Sequence, residues 1–265
     1  MKTLIINLDQ SADRLDEQKK QFEKLGLSFE RLAAVSIRDF SEADYLKLAF
    51  GGQRPLKQSE LACFLSHKKA WEYVIQCNQP CAILEDDAVL VQDFAKILNE
   101  IEKLTDIDFL NLEVHGRRKI VSRQASFNVA DGQYQILKLF QDRSGTGGYI
   151  LFPSGAKVLL DYMQQRAIGL ADEYIYSCRA LKSYQIEPAA LLQSDKCAMY
   201  GVASPDNHYS VIGQLQNNVQ SQDSSLNTMR FKLRRILGQL SLGIYFLKFI
   251  FMGTRRFIRV DKEKF

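Results

Sequence analysis

The chain has 265 residues, a formal net charge of +4, and 46% hydrophobic and 25% charged residues. That composition fits one sizeable α/β domain, alone or with an appendage, and so small a basic excess does not argue for a nucleic-acid partner. The five cysteines are odd in number and irregularly spaced, so they complete no zinc pattern and read as buried free thiols in a reducing compartment.

Residues 3–8 (TLIINL) form a short apolar run that predicts a buried strand. Too few apolar residues precede Asn7 for a secretory signal, so the main body of the chain is expected to face the cytosol. Ser11 is a plausible helix cap, and residues 12–25 are highly charged, with Leu15, Phe22 and Leu25 on one helical face before Gly26. A second strand is expected over 29–35. This strand–helix–strand opening is the usual start of a sheet with helical crossovers. A helix over 40–50 ends at Gly51-Gly52. A longer one over 59–77 carries Leu61, Phe64, Leu65, Trp71, Val74 and Ile75 at helical spacing.

Asn78-Gln79-Pro80 reads as a turn, and residues 81–84 (CAIL) as a buried strand that runs straight into Glu85-Asp86-Asp87. A helix over 94–104 and a strand over 108–112 follow. Residues 116–132 are polar and poorly periodic and read as loops with weak strands. A strand over 136–140 leads to the glycine-rich Ser144-Gly145-Thr146-Gly147-Gly148, a strand over 149–152, and a helix over 155–165 opened by Pro153. A further helix is expected over 174–181, with short strands near Gln185 and Leu191. Residues 1–195 form the main unit, 196–228 a polar linker, and 229–265 a basic, apolar helical tail.

Carboxylates directly after an apolar strand are costly unless something uses them. Ligands of open α/β sheets bind outside the carboxyl ends of the strands, where CAIL delivers the triplet. Along an extended chain residues 85 and 87 share one side, and that pair suits a hard divalent cation, Mg²⁺ or Mn²⁺. A solvated acidic turn is the alternative. The glycine-rich segment is no Walker loop, since no Gly-Lys-Ser/Thr ends it.

In combination, IINLDQSADR, FERLAAV (29–35), SELACFLSHKKAW (59–71), ILEDDAVL (83–90) and GTGGYILFPSGAKVLL (145–160) resemble glycosyltransferase family 25. That family includes bacterial lipooligosaccharide galactosyltransferases and collagen galactosyltransferases. Each segment is weak alone; five in order and spacing are specific. Ser59 stands where the family often has Gly, and Leu170-Ala171-Asp172 replaces a Pro-hydrophobic-Asp segment. The resemblance implies a GT-A-like, Rossmann-type mixed sheet flanked by helices. It also implies an acidic metal motif and inverting transfer, most simply of β-galactose from UDP-galactose to a lipooligosaccharide or other glycan acceptor. UDP-GlcNAc or UDP-glucose as donor is an alternative, as is a non-catalytic membrane-associated binding protein.

Under this reading Glu85 and Asp87 hold a Mn²⁺ or Mg²⁺ ion and Asp86 contacts the donor. Asn7, Asp9 and Arg14 lie where a nucleotide can dock, although Arg14 can equally be a surface arginine. The Ser66-His67 pair enters the donor site through the family pattern. Gly145 and Gly147 allow close backbone approach, and Thr146 and Tyr149 offer hydrogen bonds. An ordinary tight turn remains open. Asp172 and Glu173 are the base candidates, with Asp172 favoured because it aligns with the family's late Asp; a helix-capping role is the alternative. His115 is a weaker candidate, and His208 has no support. In the tail, residues 236–252 are short and interrupted for a membrane span. With basic residues at both ends they fit a helix lying on an anionic membrane surface, which would place the protein on the inner face of the cell membrane; a helix packed on the body or mediating a dimer is the alternative.

Overall fold

The computed structural model describes residues 1–142, 145–204 and 225–265, apart from the side chains of 225–228, 241 and 242. Ser144, the middle of the polar linker and His208 therefore lie outside the described residues. Nine strands form one mixed sheet. They are β1 (Lys2–Asn7), β2 (Glu30–Ala33), β3 (Cys81–Glu85), β5 (Phe109–Asn111), β6 (Lys119–Val129), β7 (Tyr134–Gln141), β8 (Gly148–Leu151), β9 (Ser183–Glu187) and β11 (Gly253–Arg256). Their order is β11-β6-β7-β9-β5-β8-β3-β1-β2. A small antiparallel ribbon pairs β4 (Ala88–Leu90) with β10 (Leu191–Gln193). The fold is the mixed α/β class that the sequence implies.

β1, β2 and β3 run parallel, joined by α1 (Ala12–Lys24) and by α2 (Glu42–Leu48) with α3 (Gln58–Cys77). Side chains alternate across the sheet. Leu4, Ile6, Ile83 and Phe109 pack with Phe64 and Trp71 of α3 and with Tyr174. Ile5, Leu84 and Leu110 pack on the other face with Phe22 of α1 and with Phe94 and Ile97 of α4 (Phe94–Ile101). Burial on both faces explains why these strands are continuous apolar runs. Each fully buried side chain of this kind contributes about 1.5–3 kcal/mol. α5 (Pro153–Tyr162) and α6 (Ala171–Ser177) complete the layer with α3.

Two regions differ from expectation. The polar stretch read as loops with weak strands forms one long strand, β6, which pairs with β7 through repeated register shifts around Val121, Ala125 and Phe127. Those bulges break the strict alternation that marks a strand. After the short α7 (Ser194–Cys197), the tail divides: α8 (Ser225–Ile250) lies on the surface, whereas β11 joins the sheet edge against β6. Among the described residues no helix is long and apolar enough to cross a membrane.

Candidate active site

The first parallel strands end at a cleft of about 480 Å³. Arg14 of α1, Cys63, Ser66 and His67 of α3, the acidic triplet and His115 line it, together with Gln193, Asp195 and Lys196. The triplet is held by its backbone. Glu85 N donates to Gly147 O at 2.9 Å, and Ser194 N donates to Asp87 O at 2.9 Å. Two glutamines of α1 clamp the same turn. Gln18 Nε2 donates to the carbonyls of Asp86 (3.1 Å) and Ala88 (2.9 Å), and Gln21 Oε1 accepts from Leu90 N at 2.9 Å. The polar helix is thus a latch on the acidic turn.

The three carboxylates have different surroundings. Asp86 accepts from Arg14 Nη1 at 3.0 Å and from Asn7 Nδ2 at 2.8 Å. Burial pushes it above the usual carboxylate range, opposed by those two hydrogen bonds. Glu85 is partly open and faces His67, Thr146 and Gln193, at 3.5, 3.4 and 3.4 Å. Asp87 is the turn's awkward member: its Oδ1 is buried with no hydrogen-bond partner among the described residues. Burial first, then the charges of Glu85 and Asp86, push it up to about 8. An orphaned buried carboxylate oxygen beside a second carboxylate is what a bound cation would satisfy, so the residues present fit Mg²⁺ or Mn²⁺.

Asn7 and Asp9 stand outside the cleft lining. Asn7 is a hub: besides Asp86, it donates to Ser11 O at 2.9 Å, and its Oδ1 accepts from Arg31 Nε at 2.9 Å. Asp9 is exposed and paired with Arg31. Arg14 lines the cleft while ion-paired to Asp86, so it is not a plain surface arginine.

On α3, Ser66 Oγ donates to Ala62 O and accepts from Val35 N, both at 2.8 Å, which fixes the loop after β2 that forms one cleft wall. The Tyr149 hydroxyl accepts from Trp71 Nε1 at 3.0 Å and lies 3.0 Å from His67 Nδ1. An indole can only donate. With the indole donating to the hydroxyl and Glu85 Oε1 3.5 Å from Nε2, the arrangement that gives both buried groups a partner has the hydroxyl donating to Nδ1 and the imidazole proton on Nε2, facing Glu85. Tyr149 is thus a buried support behind His67. Cys63, His67 and Glu85 bring their ligand atoms within 4.8 Å of one another.

The glycine-rich segment passes behind Glu85 rather than along the cleft. Gly145 has φ +75°, and a Cβ there would sit 1.9 Å from Glu113 Oε1. Glu113 Oε1 accepts from Gly147 N at 2.9 Å, and Gly147 O in turn accepts from Glu85 N. The close approach these glycines allow is thus to the protein's own carboxyl group. Glu113 is fully buried, its Oε2 has no partner among the described residues, and burial pushes its pKa well up. Nearby, Lys119 and Asp142 form a fully buried ion pair at 2.6 Å. Glu113 escaped the sequence reading, although a carboxylate inside the apolar run LNLEV was a usable signal.

The two base candidates diverge. Asp172 sits in the first turn of α6, which has no side-chain cap, and its Oδ1 accepts from Glu173 N at 2.7 Å. Burial pushes its pKa up, and it is close enough to His115 for their charges to interact. Glu173 turns the other way and accepts from Gln53 Nε2 at 2.7 Å. Neither lines the cleft itself. His115 does, with a buried Nδ1 that has no partner among the described residues, and burial followed by the Lys196 charge lowers its pKa. Asp195 and Lys196, read as linker surroundings, reach the cleft because Gln193 pairs with Ala88 across the β4–β10 ribbon.

An acidic cleft at the carboxyl ends of parallel strands is the ligand-binding layout of an α/β enzyme. The family model described as glycosyltransferase family 25 (LPS biosynthesis protein) matches residues 1–175, and the chain belongs to this family. A lacto-N-neotetraose biosynthesis glycosyltransferase, LgtE of Neisseria gonorrhoeae, is 26% identical over 209 residues, covering 73% of this chain and 74% of that protein. Procollagen galactosyltransferase 1-B of Xenopus laevis is 25% identical over 71% of this chain and 35% of its own length. The chain spans about 30% of the length of the mosquito family members that it matches. Among solved structures, a Drosophila β1,4-galactosyltransferase 7 variant bound to manganese, UDP-Gal and xylobiose aligns over 86% of this chain and 84% of that one. It does so at a TM-score of 0.38 and 8% identity, a likeness that carries no argument about ligands.

Proposed function

We propose that the chain is an inverting glycosyltransferase that moves β-galactose from UDP-galactose to a sugar of a lipooligosaccharide core. The observation that carries this reading is the cleft's unsatisfied carboxylate, Asp87, beside Glu85. Family membership supports the reaction class, and the Neisseria lacto-N-neotetraose biosynthesis enzyme and the Xenopus procollagen galactosyltransferase support a glycan acceptor and galactose.

In such a transfer an acceptor hydroxyl attacks the anomeric carbon as UDP leaves, through an oxocarbenium-like transition state. A divalent cation held by Glu85 and Asp87 would supply Lewis-acid stabilisation of the leaving diphosphate. The chain's own residues do the rest. His67 presents an Nε2 proton at the cleft, held in that tautomer by Tyr149. Arg14 is held at the cleft wall by Asp86, so its positive charge is fixed before the donor arrives. Asp172 is the base candidate through its match to the family's late Asp and its closeness to the cleft residue His115, and burial pushes its pKa up, which makes it the better proton acceptor.

The test is a screen of UDP-galactose, UDP-GlcNAc and UDP-glucose with purified protein and a lipooligosaccharide acceptor, reading the product anomer by NMR. Turnover with UDP-galactose giving the β-linked product is expected. Turnover restricted to another donor, or an α-linked product, contradicts the proposal. Asp172→Asn is expected to lower turnover by roughly 100-fold or more, and full activity in that variant would remove Asp172 as the base.

A further inference from the structure

Among the described residues, helix α8 is held on one side only. Arg234 Nη1 donates to the carbonyls of Phe50, Gly51 and Gly52 at 3.2, 2.9 and 3.3 Å. Phe249 stacks on Phe140 at 4.9 Å, and the Arg179 guanidinium lies 4.7 Å from the centre of the Tyr245 ring. These contacts leave the opposite face uncovered. Met229, Leu233, Ile236, Leu237, Leu240, Ile244 and Leu247 are all exposed, Ile244 by 69%. At 100° per residue they fall within an arc of about 100°, the width of a buried apolar stripe. Phe251, 80% exposed, continues the same line past the helix end.

Charge identifies what covers this face. Arg230, Lys232, Arg234, Arg235, Lys248, Arg255, Arg256 and Arg259 lie in this region, and no Asp or Glu occurs from residue 225 to 260. On the helical wheel Arg230 and Lys248 border one edge of the stripe and Lys232 the other. An apolar strip with basic borders matches the boundary between acyl chains and anionic headgroups. A second copy would bring the same basic borders together, which like-charge repulsion opposes. Some 26 residues of helix extend about 40 Å in the plane of a bilayer, and no described helix is apolar enough to cross one.

We infer that α8 is an in-plane membrane anchor, seated by its Met229–Leu247 face on an anionic lipid surface while its other face grips the catalytic body. The contact at residues 50–52 places the anchor beside Gln53, whose amide holds Glu173. The bilayer therefore lies next to the α6 side of the molecule. This inference does not depend on the reading of the cleft, so either can fail alone.

The test is co-sedimentation of the full chain with vesicles of phosphatidylcholine alone and of phosphatidylcholine mixed with phosphatidylglycerol. Wild type is expected to sediment with the mixed vesicles and to be released by high salt. A triple variant, Leu240→Ser, Ile244→Ser and Leu247→Ser, is expected to bind at least about tenfold more weakly, with an unchanged circular dichroism spectrum and unchanged turnover of a soluble acceptor. Arg230→Gln with Lys248→Gln is expected to weaken binding to the mixed vesicles selectively. The inference is overturned if wild type binds neither vesicle, or if the triple variant binds as wild type does. It is also overturned if wild type is a dimer in sedimentation equilibrium and the triple variant a monomer, since a second copy would then be the occupant.

Discussion

Asp87 makes a stability prediction that can be checked without any substrate. Its carboxyl is moved from an ordinary value of 3.8 to about 8 in the folded chain. A carboxyl whose folded-state pKa lies above its unfolded one favours folding when protonated. That contribution is fully present below about pH 4 and is lost as pH rises through about 8. About 4 pH units at about 1.4 kcal/mol each set a ceiling of roughly 5–6 kcal/mol. For a chain of this size that corresponds to a ceiling of about 10–20 °C in Tm. The perturbation is Asp87→Asn, which mimics the protonated form at every pH. Thermal melts in chelator from pH 4 to 9 should coincide for the two proteins at the acid end and separate as pH rises, with the variant the more stable. Adding Mn²⁺ near pH 8 should raise the wild-type Tm and leave the variant's almost unchanged. Parallel melting curves across the range, or an equal Mn²⁺ response in both proteins, would refute the reasoning.

Other outcomes follow from the layer behind the site. Gly145→Ala places a Cβ in a left-handed conformation and against Glu113, at a combined cost of roughly 2–5 kcal/mol in urea unfolding. Pairing it with Glu113→Ala should recover the part of that cost due to the clash. Glu113→Gln, which imitates a neutral acid, is expected to keep stability and turnover near wild type. Glu113→Ala by itself leaves Gly147 N without its partner, and should cost about 1–3 kcal/mol in the same unfolding assay and slow turnover.

Much of the fold was legible because the information was local. The runs TLIINL and CAIL have no polar face to hide, and the spacing of Leu61, Phe64, Trp71 and Val74 marks α3 as a packed helix. The acidic triplet was visible for the same reason, since its cost is set by the strand directly before it. What was not legible depends on distant partners. No local pattern shows that Gly145 must yield to Glu113, that Gln18 and Gln21 latch the triplet, or that the β4–β10 pairing carries Asp195 and Lys196 to the cleft. β6 was legible only as weak strands among loops because its bulges scramble the alternation. β11 was missed because Gly-Thr-Arg-Arg becomes a strand only against the waiting edge of β6. The tail's amphipathic character was local and readable; that one side of α8 is already occupied by the body was not.

The central claim is that Glu85 and Asp87 together hold the cation that serves the sugar donor. Its most direct test is the rate of UDP-galactose turnover for wild type and Asp87→Ala, each measured after chelation and again with Mn²⁺ restored. Wild-type turnover should vanish with chelator and return with Mn²⁺. Asp87→Ala should remain at least about 100-fold slower with Mn²⁺ present. Unchanged turnover in the variant, or wild-type activity indifferent to chelation, would contradict the account.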